Sequence, residues 1–216
     1  LLNSDTIVTP RWLENLQIAL YSEPKVGAVS CITSNCSNWQ QIDVKYETYE
    51  ELMDFADKMN HSNPELWEVR PKLVGFCYLI KNEAYNIAGF LDEIYSPGNY
   101  EDNDYSLKLI MAGYKLLVCR DTFIHHYGSG SFGKHATLEE FEEKNRKYKA
   151  LLQRNQEIFL KKWQITENYD ERHTVIFDVD VPRDTTMRIF VIDCNMGMSI
   201  SYLKYKYFNA QISGAT

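Results

Sequence analysis

Three acids, Glu101, Asp102 and Asp104, stand within four positions, just after the Pro97-Gly98 turn and ahead of the apolar residues Leu107, Leu109 and Ile110. Twenty residues beyond Tyr105 come His125 and His126, and close to the first residue stands Asn3-Ser4-Asp5. A turn fixes carboxylates in place, and a helix carrying Leu107, Leu109 and Ile110 anchors that turn to a core. A general base and a metal site both need oxygen donors held in this way. The same acids suit a plain helix N-terminus, where orphan N–H groups and the dipole favour negative charge.

The surrounding residues add an order to these groups. Leu1-Leu2-Asn3-Ser4-Asp5-Thr6 is followed by Pro10-Arg11-Trp12-Leu13, Val74-Gly75-Phe76-Cys77-Tyr78-Leu79-Ile80 and Gly89-Phe90-Leu91-Asp92-Glu93. Then come Glu101-Asp102-Asn103-Asp104-Tyr105, Ala112-Gly113-Tyr114 and His125-His126-Tyr127-Gly128-Ser129-Gly130-Ser131-Phe132. In sequence and spacing, residues 1 to 135 resemble the acceptor-side half of a family 2 glycosyltransferase of GT-A fold, of the rhamnosyltransferase-like type.

The resemblance implies an inverting, metal-dependent transfer of a sugar from a nucleoside-diphosphate sugar to a glycan, polysaccharide or lipid-linked acceptor. Such a reaction needs a cation on the diphosphate leaving group and a base for the attacking hydroxyl. Asp102 takes the role of base, with Glu101 orienting the acceptor, and neighbouring carboxylates raise each other's pKa toward a useful range. Asp5 and His125 take the metal, Mn²⁺ or Mg²⁺, and the imidazole favours Mn²⁺. His126 is the competitor: adjacent side chains of an extended segment point to opposite faces, so one histidine faces the site. Asn3 replaces the first aspartate of the family's metal motif and is expected to shape the turn or touch the ribose. Ser129 and Ser131, in a glycine-rich loop, offer hydroxyls to diphosphate oxygens. Trp39, Tyr78 and Tyr100 are candidate sugar-stacking residues, and Gly75 would let an acceptor approach the backbone. Two other classes stay open, a non-catalytic binding or scaffold module from a decayed transferase and a metal-dependent nucleotidyltransferase.

Composition bounds these readings. The chain has 216 residues, 44% of them hydrophobic, with 15 Tyr and 10 Phe, which is the composition of a folded domain. A net charge of −7 with no offsetting basic stripe speaks against a nucleic-acid surface. The cysteines at 31, 36, 77, 119 and 194 lack paired metal-ligand spacing and are expected as reduced thiols, which suits the cytoplasm. No apolar run is long enough to span a bilayer, which leaves a peripheral place at the inner face of the membrane compatible with the sequence. The chain does not start with Met, and an apolar run leads straight into Asn3. It is therefore expected to begin within a strand, after a nucleotide-binding half. The fragment would then be inactive alone, with an exposed sheet edge prone to self-association.

The spacing predicts an α/β chain with helices over 11–22, 47–59, 82–88 and 102–112, and strands over 26–32, 73–80, 114–119 and 123–127. A long helix over 138–163, with Thr137 and Glu140 as a capping box, is expected to bridge two domains. The organisation read is thus residues 1–137, the acceptor and metal half; 138–165, the bridging helix; and 166–216, a strand-rich extension. Within the extension, strands are expected over 175–179 and 188–192. Arg188 to Ser199 is similar to the opening of a class I methyltransferase, whose glycine turn holds S-adenosylmethionine. Asp193 and Asn195 stand where glycines are expected, Gly197 remains, and Thr216 lies near the position of the ribose-binding acid, so a plain βα unit is the competing reading.

Overall fold

The computed structural model describes residues 1–36, 38–128, 138–165, 181–192 and 198–215. The chain divides into two compact units, Leu1–Lys144 and Asn145–Thr216. In the first, a mixed sheet of five strands carries helices, so the α/β class holds.

The centre of that sheet is the pair β2 (Val26–Thr33) and β5 (Lys115–His126), which run parallel. Every residue of β2 is buried, as expected for a Val/Ile-rich strand covered on both faces. On the other side of β5, β3 (Trp67–Val69) and β1 (Thr6–Ile7) pair with it antiparallel, β1 opposite His125 and His126. Beyond β2 lies β4 (Leu79–Ile80), also antiparallel. The sequence predicts a strand over 73–80, but only its end pairs with β2. Phe76 to Tyr78 pair instead with the first residues, through Asn3 N–H to Phe76 O at 2.9 Å and a Leu2–Cys77 bridge.

The two strands expected over 114–119 and 123–127 are one strand of 12 residues. Cys31 faces Cys119 while the next residue, Ile32, faces Phe123, so Arg120, Asp121 and Thr122 bulge out of the pairing. Asp121 turns this to use. Its Oδ2 accepts from Asn63 N–H at 2.7 Å and from Trp67 Nε1–H at 2.8 Å.

Helix α1 (Trp12–Leu20) buries Leu16, Ala19 and Leu20 against Val26, Val29, Cys31, Phe76, Leu117 and Ile124. Leu16 and Leu20 are each worth about 1.5–3 kcal/mol on burial. The residue before it, Arg11, adopts φ 58°, and its guanidinium reaches Asp57 of α2 (Tyr49–Met59) at 2.9 Å. The start of α2 is a capping box of Thr48 and Glu51, which the sequence reading did not identify. Helices α3 (Asn82–Ala88) and α4 (Glu101–Met111) end at Gly89 and Gly113, whose positive φ values of 78° and 90° suit glycine, as expected of residues that stop a helix.

The unit boundary falls inside α5 (Leu138–Trp163), a helix of 26 residues as the spacing predicts. In the second unit β6 (Arg188–Ile192), α6 (Met198–Lys206) and β7 (Gln211–Ala215) form a βαβ arrangement with the strands parallel. The expected 175–179 strand, the Thr137 cap and the positions Asp193, Asn195, Gly197 and Thr216 lie outside the described residues. Among the described residues no helix is long and apolar enough to cross a membrane.

Candidate functional site

After pairing with Phe76, the chain turns through Asn3 to Asp5 and enters β1 beside the end of β5. The turn is closed by Thr6 Oγ1–H, which donates to the Asn3 carbonyl at 2.7 Å. Asp5 thereby lies against the tandem histidines. The one it meets is His126, whose Nε2 is 3.3 Å from Asp5 Oδ1. His125 points the other way, as alternation requires. Its Nδ1 lies 2.5 Å from the Tyr46 hydroxyl and 3.0 Å from Ser34 Oγ, and burial together with His126 pushes its pKa down.

The state of His126 follows from its second nitrogen. Nδ1 is 2.6 Å from the carbonyl of Asn35, and a carbonyl only accepts, so Nδ1 carries the proton. In the neutral ring Nε2 is then a lone pair facing a carboxylate. Two lone-pair donors at 3.3 Å repel unless a cation, a proton or a metal, lies between them. With a proton on Nε2 the pair is an ordinary ion pair; two ligand atoms bound at right angles to one ion, each at about 2.1 Å, would also sit about 3 Å apart. Among the described residues no group of three or more His, Cys, Asp or Glu side chains could hold a metal. A cation here would complete its shell with water or substrate oxygens.

Phe76 stacks on His126, with ring centroids 5.3 Å apart and planes at 20°. The residue before it, Gly75, donates its N–H to Asp102 Oδ2 at 2.9 Å. An unbroken line of neighbours therefore runs from Asp5 through His126, Phe76 and Gly75 to Asp102. A Cβ at Gly75 would lie 3.4 Å from that of Asp102, so the close approach this glycine permits is to Asp102.

Asp102 also accepts its neighbour Asn103's N–H at 2.8 Å. Burial raises its pKa, against the opposing effect of the N–H groups of Gly75 and Asn103 and the charge of Lys72. Glu101 is raised as well, first by burial and then by Asp102, and its Oε2 is buried without a hydrogen bond. Just ahead of both acids, Asn99 and Tyr100 take left-handed φ values of 70° and 76°. Tyrosine holds that conformation at a cost of about 1–2 kcal/mol. Asp104, the third of the helix N-terminal acids, is fully buried, with Oδ1 3.3 Å from the Tyr95 hydroxyl and Oδ2 3.5 Å from Lys108 Nζ. It locks the turn to α4.

Trp39 is about half exposed and its carbonyl accepts from Arg120 at 3.0 Å. Tyr78 is a core residue, 1% exposed and bonded to Ser106 at 3.0 Å, so its ring is not available to stack on a sugar. It lines a separate cleft of about 560 Å³ with Leu1, Tyr85, Phe90 and Tyr105. Ser129 and Ser131 lie outside the described residues. Phe76, Ser34 and Asn35 escaped the sequence reading, since an aromatic in an apolar run and a Ser/Asn loop carry no chemical signature of their own.

A raised carboxyl pKa favours the protonated form in the folded protein, so stability falls as pH rises through and above the unfolded value near 4.5. Glu101→Gln removes that penalty. It is expected to raise the melting temperature at pH 7 relative to the wild type, with the gap closing below pH 4, as thermal unfolding across pH would show.

Compared with known protein families and with curated proteins, the chain finds no match in either.

Proposed function

We propose that this chain carries the acceptor and metal side of an inverting glycosyltransferase of GT-A type. It would transfer a sugar from a nucleoside-diphosphate donor to a glycan, polysaccharide or lipid-linked acceptor. The observation that carries this reading is the line Asp5, His126, Phe76, Gly75, Asp102. It brings the Asp5–His126 pair and a half-buried carboxylate of raised basicity into one line at the end of a mixed α/β sheet, which supports this reading.

Asp5 and His126 would hold Mn²⁺ or Mg²⁺, which when bound neutralises the charge that develops on the departing diphosphate. Asp102 takes the acceptor proton on its carboxylate. The N–H of Gly75 fixes the direction in which that oxygen presents its remaining lone pairs. Glu101, with one oxygen unspent, accepts a hydrogen bond from the acceptor and orients it. A single base of this kind fits inversion, since no second carboxylate has to act as nucleophile.

The test is calorimetry of UDP, GDP and dTDP in the presence and absence of Mn²⁺. Binding is expected only with the metal, lost in Asp5→Ala and His126→Ala and kept in Asp102→Asn. Binding that ignores both the metal and Asp5 would overturn the reading, and would leave Asp5 and His126 as an ordinary ion pair in a binding module.

A further inference from the structure

We propose that the turn Ser34-Asn35 positions the imidazole of His126, presenting Nε2 to a divalent cation shared with Asp5; the inference rests on the metal reading above. Strand β2 ends at Thr33, opposite Ile124. Past that point the side chain of Ser34 takes over the role of a strand backbone. Its Oγ donates to His126 O at 3.2 Å and lies 3.4 Å from the His126 N–H. In an extended strand the N–H and C=O of one residue point to the same side, which is why one hydroxyl can serve both.

Asn35 continues the grip. Its carbonyl takes Nδ1–H of His126 at 2.6 Å, and its Nδ2 donates to Tyr127 O at 2.9 Å. Gly128, at φ 58°, leaves the space this needs, because a Cβ there would come within 2.5 Å of Asn35 Nδ2. With Phe76 stacked on the ring, both its tilt and its tautomer are fixed. Imidazoles that bind metals are commonly held through their other nitrogen, and loss of that partner costs about 10–100-fold in metal affinity. Neither Ser34 nor Asn35 touches the cation, so both are positioning residues.

The experiment is Mn²⁺ uptake by the whole chain, followed by electron paramagnetic resonance without nucleotide, with long-range ¹H–¹⁵N spectra of the histidines. The wild type is expected to show His126 as the Nδ1–H tautomer and one imidazole nitrogen coupled to bound Mn²⁺. The Nδ1 acceptor is a backbone carbonyl that no side-chain change removes. Ser34→Ala and Asn35→Ala therefore act by loosening the turn that carries it, through loss of the hydroxyl on His126 O and of the amide on Tyr127 O. They are expected to weaken Mn²⁺ binding by about 10-fold, with Ser34→Thr recovering it. Asn35 is exposed, so its truncation tests the idea even where Ser34→Ala fails to fold. If both truncations bind Mn²⁺ like the wild type while His126→Ala does not, the positioning role falls and the ligand stands. An Nε2–H tautomer at His126 in the wild type also defeats it. If His126→Ala binds Mn²⁺ undiminished, the metal reading falls with it.

Discussion

Asp102→Asn is expected to lower sugar transfer by about 10²-fold or more while nucleoside-diphosphate affinity stays near that of the wild type. The exchange is nearly isosteric and keeps an acceptor for one of the two N–H groups, that of Gly75 on Oδ2 at 2.9 Å or that of Asn103 on Oδ1 at 2.8 Å. What it removes is a proton acceptor whose basicity burial has raised. The loss should therefore appear in kcat and not in KM for the donor. Steady-state kinetics with varied donor, alongside calorimetry of the diphosphate, separates the two. Were Asp102→Asn to lose chiefly donor affinity, the residue would belong with the metal; were turnover to stay ordinary, another group would be the base.

The largest loss of stability is expected from Asn60→Ala. Asn60 is fully buried at the end of α2, where its Oδ1 accepts from Phe123 N–H at 2.7 Å. Its Nδ2 donates to Pro10 O at 2.7 Å, to Thr9 Oγ1 at 3.0 Å and to Phe123 O at 3.2 Å. One amide therefore joins β5, the entry to α1 and the end of α2. Truncation strands several buried backbone groups, each worth about 1–3 kcal/mol, so a total loss of about 3 kcal/mol or more follows. Urea unfolding should show a lower midpoint at unchanged slope. A change under about 1 kcal/mol would mean that water or a rearranged neighbour satisfies those groups.

Much of the frame could be read from the residues. Apolar spacing located α1, α4 and α5, and the glycines at 89 and 113 closed their helices where positive φ values are needed. The acidic turn and the nearness of a histidine to Asp5 were visible as residue types in order. The choice of histidine went the other way: His125 was expected, and His126 is the one beside Asp5. Alternation along β5 says only that one of the pair faces Asp5, and the choice is made by Asn35 and Phe76, far away in sequence. The polar run Arg120-Asp121-Thr122 read as a break between strands, because the groups that make use of it, Asn63 and Trp67, arrive only when the chain folds. The burial of Asp104 was hidden for a similar reason: the acid suits any helix N-terminus, and the Tyr95 hydroxyl that meets it comes from the segment before the helix.

The parallel pairing of β2 with β5 also bears on how the chain reaches this state. Val26 pairs with Lys115, so the middle of the sheet forms only once the whole intervening chain has been closed into a loop. Loop closure of that length is an entropic cost met before any contact offsets it, and folds rich in such distant pairings are slow to form. Asp5 and His126 are drawn from opposite ends of this unit and meet only when β1 pairs with the end of β5. Their meeting is itself such a distant pairing, so chains in which the two ends have not closed hold the two groups apart.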